Sequence, residues 1–315
     1  MDIKFSVAVH AYNSAAFIGE TIEAILSQTY PPAEVVVVDD GSTDETPAIV
    51  KTFIGRVAYH RIDNVGSAAA RKTAVERCQH EWIATCDSDD VWLPCHLERF
   101  AELIRQFPDV NFIFSDFTSF GSAARPNYTR LAEAPSGWLE KYTTRQHDGF
   151  VLLKDSYRAF LSFNPAWASG WAFRAHIYHA IGGIDPKYRR AIAEDTDFCR
   201  RLLLHPDTVV AGDTQVTWKY RRHSANTSAS QWRNLRGKAR ILQDHLDANL
   251  IPDALESDVR EEIAKTRLEA FNTAYWDRDW QGVPEAYKEL PRPFRNIKTR
   301  ARLIVSWILY KLGSK

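Results

Sequence analysis

Residues 34–47 read EVVVVDDGSTDETP and hold a buried strand, an acidic turn and the start of a helix. Four consecutive valines without polar alternation are typical of a parallel strand that is covered on both faces. Two carboxylates, Asp39 and Asp40, follow this strand directly. Ser42, with Glu45 three residues later, has the spacing of a helix capping box. The stretch therefore predicts one strand, turn and helix unit of an α/β protein.

The same alternation extends over residues 1–115. Strand-like runs are predicted at residues 3–11, 56–62, 81–86 and 110–115, with amphipathic helices between them. Alternation at this spacing favours right-handed strand–helix–strand units and a parallel sheet with helices on both faces. Residues 116–165 lose the rhythm, and helical patterns dominate from about residue 228 to the end.

Composition sets limits on the function. Lys plus Arg and Asp plus Glu number 40 each in 315 residues, so no basic field predicts a nucleic-acid partner. The four cysteines have no CxxC spacing, which favours reduced thiols. No run reaches the roughly 20 apolar residues that span a bilayer, and the first residues are too polar for a signal peptide. We expect a cytoplasmic protein, or a peripheral one on the cytosolic face of the inner membrane.

Polar residues gather at the ends of three predicted strands. They are His10 to Asn13, Asp39 with Asp40, and Asp87 to Asp90. Each cluster alone is compatible with ordinary turn chemistry. Because ligands of open α/β sheets bind beyond the carboxyl ends of the strands, the three together predict one ligand site.

The first strand end suits a nucleotide, although it lacks the Gly-x-Gly-x-x-Gly loop of dinucleotide sites. An acidic residue at a strand end can accept the imide N–H of uracil or thymine, or the N–H groups of guanine. Cytosine has no such proton, so a cytidine nucleotide is disfavoured. Tyr12 offers a stacking face for the base.

Asp87-x-Asp89 follows the fourth strand and suits a hard divalent cation. Mg²⁺ and Mn²⁺ commonly take one or two carboxylates, and phosphate oxygens and water complete their coordination. We interpret Asp90, the third acid, as a cap for the turn that follows. A phosphatase of the haloacid dehalogenase type is the alternative interpretation. In that class the pattern lies on the earliest strand, whereas two strand–helix units that each end in a polar cluster precede it here.

Seven collinear segments resemble the inverting glycosyltransferases of family 2, which have the GT-A fold. The segments are VAVHAYN, VVVVDDGSTDET, NVGSAAARKTAV, WIATCDSDDVWLP, GWAFRAHIYHAIGGID, AEDTDFCRRL and YRRHSANTS. The resemblance implies an α/β, Rossmann-like, mostly parallel sheet flanked by helices. It divides the chain into a glycosyltransferase domain, 1–228, and a helical region, 229–315. The domain would comprise a nucleotide-binding half, 1–115, and an acceptor and catalytic half, 116–228.

The resemblance also implies a role for individual residues. Those assigned to the nucleotide are Ala11, Tyr12, Asn13, Asp39, Arg71, Asp87 and Ser88. Asp89 would be the main protein ligand of Mn²⁺ or Mg²⁺, with Asp87 beside it and His223 completing the metal site. Asp195 matches the catalytic base, and its neighbour Glu194 remains the second candidate. The partners implied are a nucleotide diphosphate sugar, with UDP first, and a saccharide acceptor. A lipid-linked saccharide acceptor, as in bacterial surface-polysaccharide synthesis, is favoured if the C-terminal segment contacts a membrane.

Two features leave alternatives open. Trp138, Trp167 and Trp171 could stack on sugar rings or pack against the sheet. Residues 292–315 contain seven Lys or Arg and no acid, beside an apolar stripe at helical spacing. This segment either contacts an anionic membrane surface or docks on the domain.

A non-catalytic scaffold that binds nucleotide sugars or membranes is the alternative to an enzyme.

Overall fold

The computed structural model describes residues 2–188, 194–223 and 230–313. Its described residues form two compact units. The first holds residues 2–188 and 197–223, and the second holds residues 194–196 and 230–313. The domain boundary predicted at residue 228 lies outside the described residues.

The first unit is built on one sheet of ten strands. The strands are β1 (Phe5–Ala11), β2 (Glu34–Asp39), β3 (Ala58–Arg61), β4 (Trp82–Asp87), β5 (Val91–Trp92), β6 (Phe112–Phe120), β7 (Thr143–His147), β8 (Phe150–Leu153), β9 (Trp171–Arg174) and β10 (Val210–Arg221). Their order is β3-β2-β1-β4-β9-β6-β10-β8-β7, and β5 pairs with β10. The pairs β3-β2, β2-β1, β1-β4 and β6-β10 are parallel, whereas β5, β8 and β9 run against their neighbours. The predicted mostly parallel α/β sheet is confirmed.

Helices of the first unit cover this sheet. They are α1 (Ile18–Leu26), α2 (Thr46–Lys51), α3 (Ser67–Glu76), α4 (His96–Gln106), α5 (Trp138–Tyr142), α6 (Ser156–Ser162), α7 (Ala175–Ala180) and α8 (Glu194–Leu204), whose first three residues belong to the second unit. The valines of β2 are 0–2% exposed, as a strand covered on both faces requires. The predicted capping box is wrong, because α2 begins at Thr46 and Ser42 instead bonds to the ends of β1 and β2.

The second unit is helical in its described part. Its helices are α9 (Gln231–Asp247), α10 (Asp253–Trp276), α11 (Gly282–Glu289) and α12 (Ile297–Gly313). Trp232 and Phe271 lead a small apolar cluster in which α9, α10 and α11 meet. The prediction of a helical C-terminal region is confirmed.

Candidate active site

The three polar strand ends meet at one edge of the sheet. In the register of the parallel strands, Ala11 lies beside Asp39, and His10 lies beside Asp87. The acidic clusters at the ends of β2 and β4 therefore lie on either side of β1, which is the one strand between them. The structure brings together the residues that the sequence assigned to one ligand site.

The end of β1 is fixed to the turn after β2. Asn13 adopts a left-handed backbone conformation (φ 48°), and its N–H donates to Ser42 Oγ at 2.9 Å. The Asn13 Oδ1 atom accepts the Thr43 N–H at 2.8 Å. Tyr12, the residue before Asn13, is 49% exposed, so its ring face is accessible to a nucleobase.

Asp39 is fully buried at the carboxyl end of β2. One carboxylate oxygen accepts the Ser42 N–H at 2.8 Å, and the other accepts the Tyr59 hydroxyl at 2.8 Å. The Arg61 Nε atom lies 3.8 Å from the second oxygen. Because Asp39 is fully buried, a base could reach it only after neighbouring groups such as the Tyr59 hydroxyl moved aside. Both oxygens retain a second lone pair for such a donor.

An open depression of about 690 Å³ lies at the ends of β2 and β3, lined by Gly41, Arg61, Ile62, Asp63 and Asn64. Asp40, beside it, accepts the N–H groups of Val65 and Gly66 at 2.7 and 2.9 Å. These bonds hold the loop that leads into α3.

Asp87 is paired with a buried cation. The Arg71 Nη2 atom of α3 donates to Asp87 Oδ1 at 3.0 Å, and His10 Nδ1 lies 3.9 Å from the same oxygen. Burial, and next the Arg71 charge, lowers the pKa of His10 to about 4. His10 is therefore neutral at pH 7, and Arg71 supplies the positive charge at this strand end.

Asp89 and His223 meet at the candidate metal site. The His223 Nε2 atom lies 3.0 Å from Asp89 Oδ2, and the imidazole stacks on the Phe17 ring with centroids 4.6 Å apart. Burial, followed by the negative charge of Asp87, raises the pKa of Asp89. The pair joins the turn after β4 to the segment after β10, which are 134 residues apart in sequence.

Asp90 has a different role from the predicted turn cap. Its Oδ1 accepts the Arg221 N–H at 2.8 Å, and its Oδ2 accepts the Ser169 hydroxyl at 2.5 Å. Burial and the charges of Asp89 and then Asp87 raise its pKa well above the usual range. Asp90 is 1% exposed and ties the acidic turn to β10, so the capping interpretation is wrong.

The side chains of Thr21, Arg221 and Ser14 also hold the acidic turn, and sequence reasoning did not find these contacts. Thr21 of α1 donates to the carbonyl oxygens of Ser88 and Asp90 at 3.1 and 2.9 Å. Arg221 Nε donates to the Asp89 carbonyl at 2.6 Å. The YRRH segment around Arg221 was a signal for β10, but nothing in it indicated a bond to this turn. The Ser88 hydroxyl itself lies 2.7 Å from Ser14 Oγ, at the start of the α1 segment.

Glu194 and Asp195 begin helix α8, where both are half-buried. Asp195 Oδ1 accepts the Thr196 N–H at 2.8 Å. Asp197, the third acid of this segment, is paired with Arg201 at 2.6 Å and is 1% exposed. Because this buried ion pair gives Asp197 a structural role, Glu194 and Asp195 remain the two candidates for the catalytic base.

The tryptophans are mainly packing residues. Trp138 and Trp171 are 3% and 1% exposed, so stacking on a sugar is excluded for both in this conformation. Trp167 is half-buried between Phe117 and Tyr220, with ring centroids 4.9 and 5.0 Å away. Only Trp167 among the three has a partly accessible ring.

The site residues fit a divalent cation through one carboxylate and one imidazole. Adjacent ligands of an octahedral ion with bonds of about 2.1 Å stand about 3 Å apart. This is the separation of Asp89 Oδ2 and His223 Nε2, at 3.0 Å. Over the described ranges, no group of three or more His, Cys, Asp or Glu side chains is arranged to hold a metal. The fit therefore requires phosphate oxygens and water as the remaining ligands.

Residues 6–161 match the model of glycosyl transferase family 2. The chain carries a domain of this family and is a glycosyltransferase. The predicted family and enzyme class are thus confirmed, and the phosphatase and scaffold alternatives are set aside.

Two relatives illustrate the likeness. An uncharacterized glycosyltransferase of Nostoc sp., alr2836, is 25% identical over 324 residues, covering 98% of this chain and 90% of the relative. The succinoglycan biosynthesis protein ExoO of Rhizobium meliloti is 44% identical over 103 residues, covering 32% of this chain and 29% of ExoO. The chain likewise spans less than half the length of several other relatives.

Solved structures share the fold. S. aureus TarS, residues 1–349 in complex with UDP-GlcNAc, has a TM-score of 0.60 at 18% identity, covering 99% of this chain and 92% of that solved TarS chain. The mannosyltransferase PcManGT of Pyrobaculum calidifontis, in complex with GDP-Man and Mn²⁺, has a TM-score of 0.59 at 18% identity. That match covers 98% of this chain and 81% of PcManGT.

Proposed function

We propose that this glycosyltransferase is metal-dependent and inverting and uses a UDP-sugar as its donor. The acceptor would be a hydroxyl of a saccharide or a lipid-linked saccharide in bacterial surface-polysaccharide synthesis. A lipid-linked acceptor would place the reaction at the cytosolic face of the inner membrane. The observation that carries the proposal is the meeting of Asp89 with His223 at 3.0 Å, at the same sheet edge as Asp87 and Tyr12.

The names of the relatives support this choice. ExoO is a succinoglycan biosynthesis protein, and TarS and PcManGT have been solved with UDP-GlcNAc and with GDP-Man and Mn²⁺. A nitrogen ligand such as His223 favours a transition ion, so Mn²⁺ fits this site better than Mg²⁺. Asp89 and His223 would hold the ion, and Asp87 would contact it or the ribose. The ion would supply charge neutralisation of the diphosphate leaving group.

The nucleoside would lie along the ends of β1 and β2. Tyr12 would stack on the base, and Ala11, Asn13 and Ser88 would line its pocket. Asp39 would accept the imide proton of uracil after the Tyr59 hydroxyl moves aside. Arg71, held by Asp87 at 3.0 Å, would place a positive charge near the phosphates.

The transfer step needs one carboxylate as a general base. We assign this role to Asp195, with Glu194 as the alternative. The carboxylate takes the proton of the acceptor hydroxyl while that oxygen attacks the anomeric carbon. The bond between the anomeric carbon and the diphosphate oxygen breaks on the opposite face, and its electrons leave with the diphosphate. One displacement of this kind inverts the anomeric configuration.

A donor panel tests the proposal. UDP-, dTDP-, GDP- and CDP-sugars are incubated with the full chain and a saccharide acceptor, in Mn²⁺ or in EDTA. We expect sugar transfer or slow hydrolysis from a UDP-sugar in Mn²⁺ only, with an inverted anomeric centre by NMR. Equal rates in EDTA would contradict metal dependence, and a retained anomeric configuration would contradict the single displacement. A preference for GDP- or CDP-sugars would contradict uracil as the nucleobase of the donor.

A further inference from the structure

Helix α12 packs on the other helices of the second unit through the face that carries its small polar residues. Thr299 and Ser306 are 4% and 0% exposed, and Leu303 packs against the Trp232 and Phe271 cluster. The Thr299 hydroxyl donates to the Phe294 carbonyl at 2.7 Å, and the Ser306 hydroxyl donates to the Leu303 carbonyl at 2.7 Å. Because these hydroxyls are satisfied locally, the polar face can be buried at little cost.

The apolar stripe of α12 consequently points away from that unit. Its members recur at intervals of three or four residues and lie on one helix face. The stripe consists of Ile297, Ala301, Ile304, Ile308 and Leu312. Its four large side chains are 84%, 59%, 44% and 68% exposed, in that order. This is the reverse of a helix that docks through its apolar side.

Exposed cations flank the stripe on both sides. At 100° per residue, Arg300 and Lys311 lie along one margin, and Lys298 lies along the other. Residues 292–315 contain no Asp or Glu. Trp307, 54% exposed, adds an amphipathic ring of the kind that is enriched at membrane interfaces. An apolar face with basic margins is complementary to a bilayer surface that carries anionic lipids.

We propose that the α12 stripe binds an anionic membrane surface, with the helix lying in the plane of the interface. Seventeen residues make a helix about 25 Å long. Across the described segments, no helix is long and apolar enough to cross a membrane, which agrees with a helix lying on the surface. A second copy of this chain would bind the stripe less well, because pairing two α12 stripes would bring their positively charged margins together. The inference goes beyond the transfer reaction and does not depend on its donor.

Vesicle sedimentation with the full chain tests the inference. The vesicles contain phosphatidylcholine alone or with 30% phosphatidylglycerol. The apolar variant is Ile304→Ser with Ile308→Ser, and the charge variant is Lys298→Gln with Arg300→Gln. Ile54→Ser is the matched control, because Ile54 is 66% exposed and lies in the other unit. Circular dichroism and donor hydrolysis establish that each variant is folded and active.

The expected result is binding to the anionic vesicles that falls with added salt. We expect the apolar variant to bind at least about tenfold more weakly and the charge variant about 25-fold more weakly, at about fivefold per cation. The control should bind as the wild type does. Equal binding to neutral vesicles, or unchanged binding of the apolar variant, would overturn the inference. So would a dimer in solution that the apolar variant abolishes, because the stripe would then be an interface between copies. Donor hydrolysis should remain unchanged throughout, so a failure here is distinct from a failure of the proposed reaction.

Discussion

Replacing Ser169 with alanine should loosen the acidic turn that carries Asp89. The Ser169 hydroxyl accepts the Asp87 N–H at 3.0 Å and donates to Asp90 Oδ2 at 2.5 Å. Ser169 and Asp90 are each 1% exposed, so neither group regains water easily when the bond is lost. The substitution removes both contacts without changing the backbone.

The magnitude follows from the charges involved. A hydrogen bond to an ionised group contributes about 1.5–3 kcal/mol, and a neutral one contributes about 1 kcal/mol. We therefore expect Ser169→Ala to lower the free energy of unfolding by about 3 kcal/mol when Asp90 is ionised, and by about 2 kcal/mol when it is neutral. Ser115→Ala is the matched control, because Ser115 is also 1% exposed but accepts only the neutral Thr217 hydroxyl, at 2.7 Å. Its expected cost is about 1 kcal/mol.

Urea unfolding in EDTA at several pH values measures this difference. Burial and the charges of Asp89 and Asp87 raise the pKa of Asp90, so its ionised form is reached only as the pH rises. The bond from Ser169 favours the ionised form. The cost of Ser169→Ala should therefore grow as the pH rises through the pKa of Asp90, while that of Ser115→Ala stays constant. Costs that are equal for the two variants at every pH would refute the reasoning.

Three further outcomes are expected. Arg71→Met should weaken UDP binding by about tenfold or more in calorimetry, because a charge-assisted contact is lost; an unchanged Kd would remove Arg71 from the site. Asp195→Asn should slow sugar transfer by about 100-fold or more without changing UDP affinity, whereas Glu194→Gln should transfer at nearly the wild-type rate. The opposite result would make Glu194 the general base. A wild-type rate in both variants would contradict a role of either carboxylate as the base. Burial lowers the pKa of His96 from 6.5 to about 3, so the folded state excludes a proton that the unfolded state binds below pH 6.5. Between pH 6.5 and about 3, His96 alone should lower the free energy of unfolding by about 1.4 kcal/mol per pH unit, in addition to the fall that buried His10 causes. In urea titrations the slope should be smaller by that amount in His96→Phe, and an equal slope in both proteins would contradict a neutral buried His96.

Much of the fold could be predicted because its signals are local. Residues close in sequence predict the valine strand β2, the acidic turns and the amphipathic helices. The alternation of strands and helices predicts that the strands run parallel. The placement of Asp87 and Asp89 at one edge with Tyr12 also follows, because parallel strands end on the same side.

Contacts between distant segments could not be predicted. The bonds from Ser169 and Arg221 to Asp90 join residues that are 79 and 131 positions apart, and no local pattern encodes such pairing. The capping role given to Asp90 failed for this reason. Ser42 likewise had the right spacing for a helix cap, but tertiary bonds to Asn13 and Asp39 took precedence. In α12, periodicity identified the stripe, but not that Thr299 and Ser306 would face inward instead.

The metal dependence of UDP binding tests the central assignment of Asp89 and His223 most directly. Calorimetry compares the wild type with Asp89→Asn and with His223→Phe, a change that keeps a ring to stack on Phe17 but removes the nitrogen. We expect Mn²⁺ to tighten UDP binding by about tenfold or more in the wild type. In both variants the affinity should remain at the metal-free value. The assignment would be contradicted if either variant kept the full tightening by Mn²⁺.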